Sequence, residues 1–286
     1  MAKRRGLRTG SVALVIAVAI GVSANAAGAA HDRNRGARRV AHAASAFANE
    51  GTARIDGTVE VEVTSGPNAG KRVSLPFTGE IDNRAKVGSF SFDASGLGSP
   101  GISGRITEVF AGNALYMSLD AFGRDLGDTL GKHWMKIDLG QFGAGASQTQ
   151  QSDPTSVLDG LRGVSNRVDD LGHETVRGVD TTHYRATVDV EAALARVPEK
   201  ARARARSALS QFGRSEFPMD VWLDRHGVPR RYALTMDVTK GGSAGHISES
   251  FDFYDFGAPV SVKVPSADDV LDYTDVVKQK QTGQVS

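Results

Sequence analysis

The chain has 286 residues, 40% of them hydrophobic and 23% charged, enough to bury a substantial core as one or two domains. The net charge is +1, and Lys3, Arg4, Arg5 and Arg8 fall in the first ten residues with no acid among them; setting these four aside leaves −3. A mildly acidic body excludes the basic face with interleaved aromatics that a nucleic-acid partner needs, and the absence of cysteine removes disulfides, thiolate zinc sites, thiol catalysis and a cysteine-linked lipid anchor together.

In chain order, residues 1–30 have the pattern of a signal peptide. Lys3-Arg4-Arg5 is a positive n-region, Ser11 to Val22 is an apolar h-region, and Ala24-Asn25-Ala26 and Ala27-Gly28-Ala29 offer small-residue cleavage sites. The competing reading is an uncleaved anchor, because Gly10 to Ala30 carries no charge and approaches the ~20 residues of a spanning helix. Its Ala, Gly, Ser and Asn content over the second half favours cleavage. Residues 31–39, polar and basic, are expected to form a flexible tether. Val40 to Asn49 is Ala-rich and suits a helix, with Gly51 placed to end it.

From Thr52 the period changes to two. Ile55, Gly57, Val59, Val61 and Val63 share one face, against Asp56, Glu60 and Glu62 on the other. Ser65 to Gly70 is a turn, then Val73, Leu75, Phe77 and Ile81 mark the buried face of a second strand, and Phe90 and Phe92 sit on a third. Ile102 to Phe110, Ala114 to Leu119 and His133 to Leu139 read as further strands. Asp153-Pro154 supplies an N-cap and an N1 proline ahead of a short helix. Val164 to Val168 and Glu174 to Val188 read as strands turning near Arg177-Gly178-Val179. Val190 to Phe212 carries the strongest helical signal, broken at Pro198.

Phe217 to Pro265 then forms a meander. Met219, Val221 and Leu223 alternate with Asp220, Trp222 and Asp224; Tyr232, Leu234, Met236 and Val238 alternate with Ala233, Thr235 and Asp237. Arg225-His226-Gly227 is the hairpin between them, and Ala267 to Val277 closes as a loosely helical or extended tail. Short amphipathic strands at this spacing predict a sandwich, barrel or strongly curved sheet, in one domain over residues 40–286.

Motifs that match on paper lack their context. Gly241-Gly242-Ser243-Ala244-Gly245 fits G-x-S-x-G, but a nucleophile elbow needs a helix after its strand, and here strands stand on both sides. Gly96 to Gly101 fits G-x-G-x-x-G, but a strand follows where the dinucleotide fingerprint opens a helix. The histidines, His31, His42, His133, His173, His183, His226 and His246, contain no H-E-x-x-H pair. Asp169-Asp170 and Asp268-Asp269 lack the spacing of a calcium loop. The arginines from Arg196 to Arg206 suit a solvated helix face, with anionic lipid headgroups as the alternative. The residues require no cofactor and no metal, and they assemble no nucleophile, base and orienter, so the expectation is a protein that is not an enzyme.

Several segments, taken in order, resemble a known family. They are Gly51 to Val63 behind an Ala-rich helix, Leu115-Tyr116-Met117-Ser118 with Trp134 to Asp138, Asp153-Pro154 before a short helix, Glu174 to Tyr184 (ETVRGVDTTHY), Asp220 to Asp224 (DVWLD) and Phe253 to Val260 (FYDFGAPV). In order and spacing they are similar to the LppX/LprA/LprF/LprG family of actinobacterial envelope lipoproteins, of LolA/LolB-like fold, over about residues 40 to 276. The resemblance implies a mainly β fold with helices (α+β): a strongly curved antiparallel half-barrel sheet, covered on its concave side by helices. It implies an apolar cavity between sheet and helices that holds the acyl chains of a lipid or lipoglycan for transport, with an envelope membrane transporter as a partner and a monomeric carrier.

Candidate lining residues are Phe90, Phe92, Leu115, Met117, Met219, Val221, Leu234, Met236, Phe251 and Phe253. Methionine thioethers adapt to variable ligands, and each of the ten also fits an ordinary core position, the commoner place for such side chains. The departure from the family is the missing lipobox cysteine. A soluble exported carrier in the extracellular or periplasm-like envelope space, or one tethered by an uncleaved N-terminal helix, is expected in place of a lipid-anchored one. A ligand-free sensor or scaffold built on the same sheet is the alternative, and a secreted hydrolase resting on Ser243 is a distant third.

Overall fold

Period-two alternation runs through nearly every described segment, and the result is a single sheet. The computed structural model describes residues 35–97, 104–120, 131–138, 164–189, 199, 216–240 and 242–274. Helix α1 (Arg35–Asn49) is followed by β1 (Thr52–Ser65), β2 (Arg72–Asp82), β3 (Val87–Asp93), β4 (Arg105–Ala111), β5 (Ala114–Ser118) and β6 (Trp134–Asp138). Then come β7 (Val164–Val176), β8 (Val179–Asp189), β9 (Glu216–Asp224), β10 (Pro229–Lys240), β11 (Ser243–Tyr254) and the short β12 (Val270–Asp272). The strand order is β12-β6-β5-β4-β3-β2-β1-β11-β10-β9-β8-β7, a curved open sheet of twelve strands. Two antiparallel meanders, β1 to β6 and β7 to β11, therefore join along one seam, β1 against β11.

Among the described residues the sheet is neither a sandwich nor a closed barrel, because β7 and β12 are its edges. Of the helices expected across the sheet, α1 is the one whose packing is described; it lies against β7, β8, β9 and β10. The segment after Asp153-Pro154 and the Val190–Phe212 segment, Glu199 apart, lie outside the described residues, as does the expected signal peptide.

Helix α1 starts at Arg35 rather than Val40, so residues 35–39 are helical and not tether. Packing explains the extension. Ala37, Val40, Ala44 and Phe47 recur at three- and four-residue spacing, Ala43 joins them, and all are buried against the sheet. Phe47 meets the Phe253 ring edge-on, with centroids 4.9 Å apart. Arg39 of α1 donates from Nη2 to the Asp224 carbonyl at 2.7 Å. Gly51, at φ +82°, ends the helix where a side chain would be strained, and β1 begins at once.

Strand β7 runs from Val164 to Val176, with register shifts between Val164 and Val168 and between Asp170 and Gly172, so the expected Val164–Val168 strand continues to the turn at Arg177-Gly178 and β8 follows it. Its hairpin with β8 turns through Arg177 and Gly178, at φ 49° and 80°, the positive pair a two-residue type I′ turn requires. Within the tail expected to be loosely helical or extended, β12 is extended and paired parallel to β6, a pairing the sequence did not announce. Outside the chain's own backbone pairing, Lys136 to Asp272 and His133 to Asp269 tie it down.

Candidate functional site

Register assigns the two faces of the sheet. Ile55 lies opposite Phe253 and Gly79, Gly57 opposite Phe251 and Phe77, and Val59 opposite Glu249 and Leu75. Phe92 and Phe90 of β3 face Phe77 and Gly79; Leu115 and Met117 of β5 face Phe110 and Glu108. Tyr232 lies opposite Phe251 and Val221, Leu234 opposite Met219, and Met236 opposite Ile247. All ten candidate residues named from the sequence thus stand on one face, the face that α1 covers over β7 to β10.

They do not share one environment. Met219, Val221, Leu234, Met236, Phe251, Phe253 and Phe90 belong to the large core cluster with α1. Phe92 belongs to a smaller cluster with Ala94 and Ile106, against which Met117 and Phe77 pack. Leu115 and Met117 stay part-exposed, as do Met135 and Ile137 opposite them on β6. Aromatic rings run across the middle of the face: Phe110 to Phe90 at 5.9 Å, Phe90 to Phe77 at 6.2 Å, Phe77 to Phe251 at 4.7 Å and Phe251 to Tyr232 at 4.6 Å.

Two acidic residues interrupt this apolar face, and the sequence reading missed both. Glu249 lies between Val59 and Leu234 and is only 4% exposed. Glu108 lies between Phe90 and Met117. Neither makes a hydrogen bond or ion pair with a described residue, and burial alone pushes each carboxyl up to about 7. The available signal was phase: Ile247-Glu249-Phe251 and Ile106-Glu108-Phe110 each place a glutamate where the alternation requires an apolar side chain.

The opposite face is polar and carries a network of paired side chains. His183 stacks on Trp222 at 4.0 Å and contacts Glu174 through Nδ1 and Asp220 through Nε2, both at 2.9 Å. Trp222 donates its indole N–H to Glu174 at 2.7 Å, which, ahead of the His183 contact, holds that carboxyl below the usual carboxylate range. Arg185 bridges both Asp220 oxygens. Next to them, Arg231 and Arg177 converge on Asp252, and Arg177 and Tyr254 on Asp56. Both ring nitrogens of His183 are engaged by carboxylates, so neither is free to take a proton from a substrate. This cluster holds strands together. Ser243 opens β11 directly after the β10 hairpin, opposite Lys240, so a strand follows it where a nucleophile elbow needs a helix. Among the described residues no three acidic or histidine side chains are grouped to hold a metal, and no helix is long and apolar enough to cross a membrane.

Fold and faces together define a curved, open, antiparallel sheet with one polar side and one apolar side that carries a helix. No family model matches the chain. An uncharacterized 31.2 kDa protein of Streptomyces griseus, from the rplA-rplJ intergenic region, is 27% identical over 236 residues, covering 70% of this chain and 75% of its own. Among solved structures, LprF from Mycobacterium bovis is similar with a TM-score of 0.43 and 12% identity, over 81% of this chain and 97% of its own. The Mycobacterium tuberculosis lipoprotein LppX is similar with a TM-score of 0.44 and 14% identity, over 80% of this chain and 100% of its own.

Proposed function

We propose that this protein is a non-enzymatic carrier of the cell envelope, which binds an acyl lipid or lipoglycan on the apolar face of a half-barrel sheet. The observation that carries the reading is the continuation of one apolar face beyond the helix that covers part of it. Over β7 to β10 the face is sealed by α1, whereas on β5 and β6 Leu115, Met117, Met135 and Ile137 remain part-exposed. Apolar area left in water gains about 25 cal/mol per Å² when covered, so an acyl chain needs no charged partner to be held there. The ten residues named from the sequence are the proposed lining. Leu115 and Met117 on β5 would meet ligand first, and the buried residues on β3, β9, β10 and β11 form the floor. The signal-like residues 1–30 support export to the envelope space.

The test is organic extraction and mass spectrometry of the full-length protein purified from an actinobacterial host. Near-stoichiometric co-purified acyl lipid is expected. Protein that carries none, and takes none up from radiolabelled phospholipid vesicles, would instead be a ligand-free scaffold.

A further inference from the structure

The other buried carboxylate among the described residues has partners. Asp224, 3% exposed, accepts from the backbone N–H groups of His226 and Val228 and from two nitrogens of Arg230. Glu249, equally buried, has none among the described residues, although a lone carboxylate in apolar surroundings is among the most costly groups a fold can retain. Its neighbours on the face are apolar: Val59 across β1, Leu234 across β10, and Ile247 and Phe251 along β11. Among the described residues on this face, the titratable group nearest them is the Tyr232 phenol, one diagonal away. From α1, between Ala37 and Phe47, the charged group turned to the sheet is Arg39, which donates to the Asp224 carbonyl of β9; the other packed positions, Ala37, Val40, Ala43, Ala44 and Phe47, are apolar.

Glu108 on β4 has neighbours of the same kind but is part-exposed where Glu249 is buried: Phe90 and Met117 stand across from it, Ile106 and Phe110 lie along the strand, and no titratable group faces it from β3 or β5. Four strand steps, about 19 Å along the sheet, separate the two, so they do not share a proton as a carboxylate dyad does.

We propose that Glu249 and Glu108 are the polar contact points of the acyl-binding face, each donating its carboxyl proton to an oxygen of an uncharged acyl ester and disfavouring ligands that bring a second negative charge. The inference rests on the carrier reading above. A neutral carboxyl is both donor and acceptor, and an ester carbonyl placed against it satisfies a group that nothing in the described fold satisfies. Once the proton is lost, the same group has no donor for the ester and its charge has no partner. Ligand is therefore held in acid and released as the pH rises through 7.

Equilibrium dialysis of radiolabelled 1-oleoylglycerol and of oleate against the full-length chain, at pH 5.5 and pH 8.5, tests this. The wild-type protein is expected to bind 1-oleoylglycerol about thirtyfold more tightly at pH 5.5, following the fraction of neutral carboxyl, and to bind oleate more weakly than the ester at pH 8.5. The double variant Glu108→Gln/Glu249→Gln, always neutral and still a donor, should keep the acid affinity at both pH values. Glu108→Leu/Glu249→Leu should be insensitive to pH and weaker than the glutamine variant. A wild-type affinity that changes less than twofold, or leucine and glutamine variants that bind alike, removes this inference and leaves the carrier standing. Wild-type protein that binds neither probe at either pH overturns both.

Discussion

At the scale of single residues, Asp224 and Glu249 show opposite solutions to the burial of a carboxylate. Asp224 closes the β9–β10 hairpin, and four donors satisfy its two carboxyl oxygens. Glu249 is kept in apolar surroundings with its carboxyl raised to about 7 from 4.5. The sign of the linkage follows. The folded chain binds this proton more tightly than the unfolded chain, so the contribution to stability is complete below about 4.5, is lost as the pH rises to about 7, and is level above that. Glu249→Gln has no proton to lose. It should match the wild type in urea unfolding near pH 4.5 and exceed it at pH 8 by on the order of 3 kcal/mol. A difference independent of pH would mean that Glu249 titrates normally. The alternation of β11 was legible in the sequence, and so was the glutamate's phase within it. Its solitude was not, because the partners it lacks would have come from Val59 and Leu234 on other strands, the first 190 residues away by number.

Among elements, the apolar face is shaped by a repeated pairing of glycine with phenylalanine. Gly57 lies opposite Phe77, Gly79 opposite Phe90, and Gly88 opposite Phe110, and each ring lies over the glycine beside it. A Cβ on Gly79 would come within 2.4 Å of Phe90 Cδ1 and 2.9 Å of the Ser89 carbonyl; one on Gly88 would come within 2.1 Å of Phe110 Cζ. Rings laid flat on the sheet leave the face smooth, and glycine beneath them lets neighbouring strands bend. Gly79→Ala should therefore cost about 1–3 kcal/mol by overpacking, seen as a lower urea midpoint together with a changed near-ultraviolet phenylalanine signal. An unchanged midpoint would show that the ring simply moves aside. Period two placed Gly57 on the apolar face, but a glycine has no side chain to announce which ring will cover it. Strand β12 was illegible for a different reason. Three residues cannot show a period, and its partner β6 lies 136 residues earlier, as the Lys136 to Asp272 contact records.

For the whole molecule, most hairpins were readable in order, because each of the two meanders pairs neighbours in the chain. Which edges of the meanders would join was not, since β1 and β11 carry no signal for each other beyond two apolar faces in phase. Helix α1 precedes β1 yet packs on β7 to β10, so it crosses that seam and clips the second meander to the first. Local hairpins form early and distant pairings late. Conservative changes at the seam, Ile55→Val or Phe253→Leu, should therefore speed unfolding and leave refolding almost untouched, with φ-values below about 0.3; values near 1 would place the seam in the nucleus. The seam also sets a clock. Asp56 and Tyr254, which bond across it, are 198 residues apart. At about 5–20 residues per second, β1 waits on the order of 10–40 s of synthesis before β11 exists. For that interval one edge of the first meander has no strand to pair with, and the newborn chain must be kept from pairing with its neighbours.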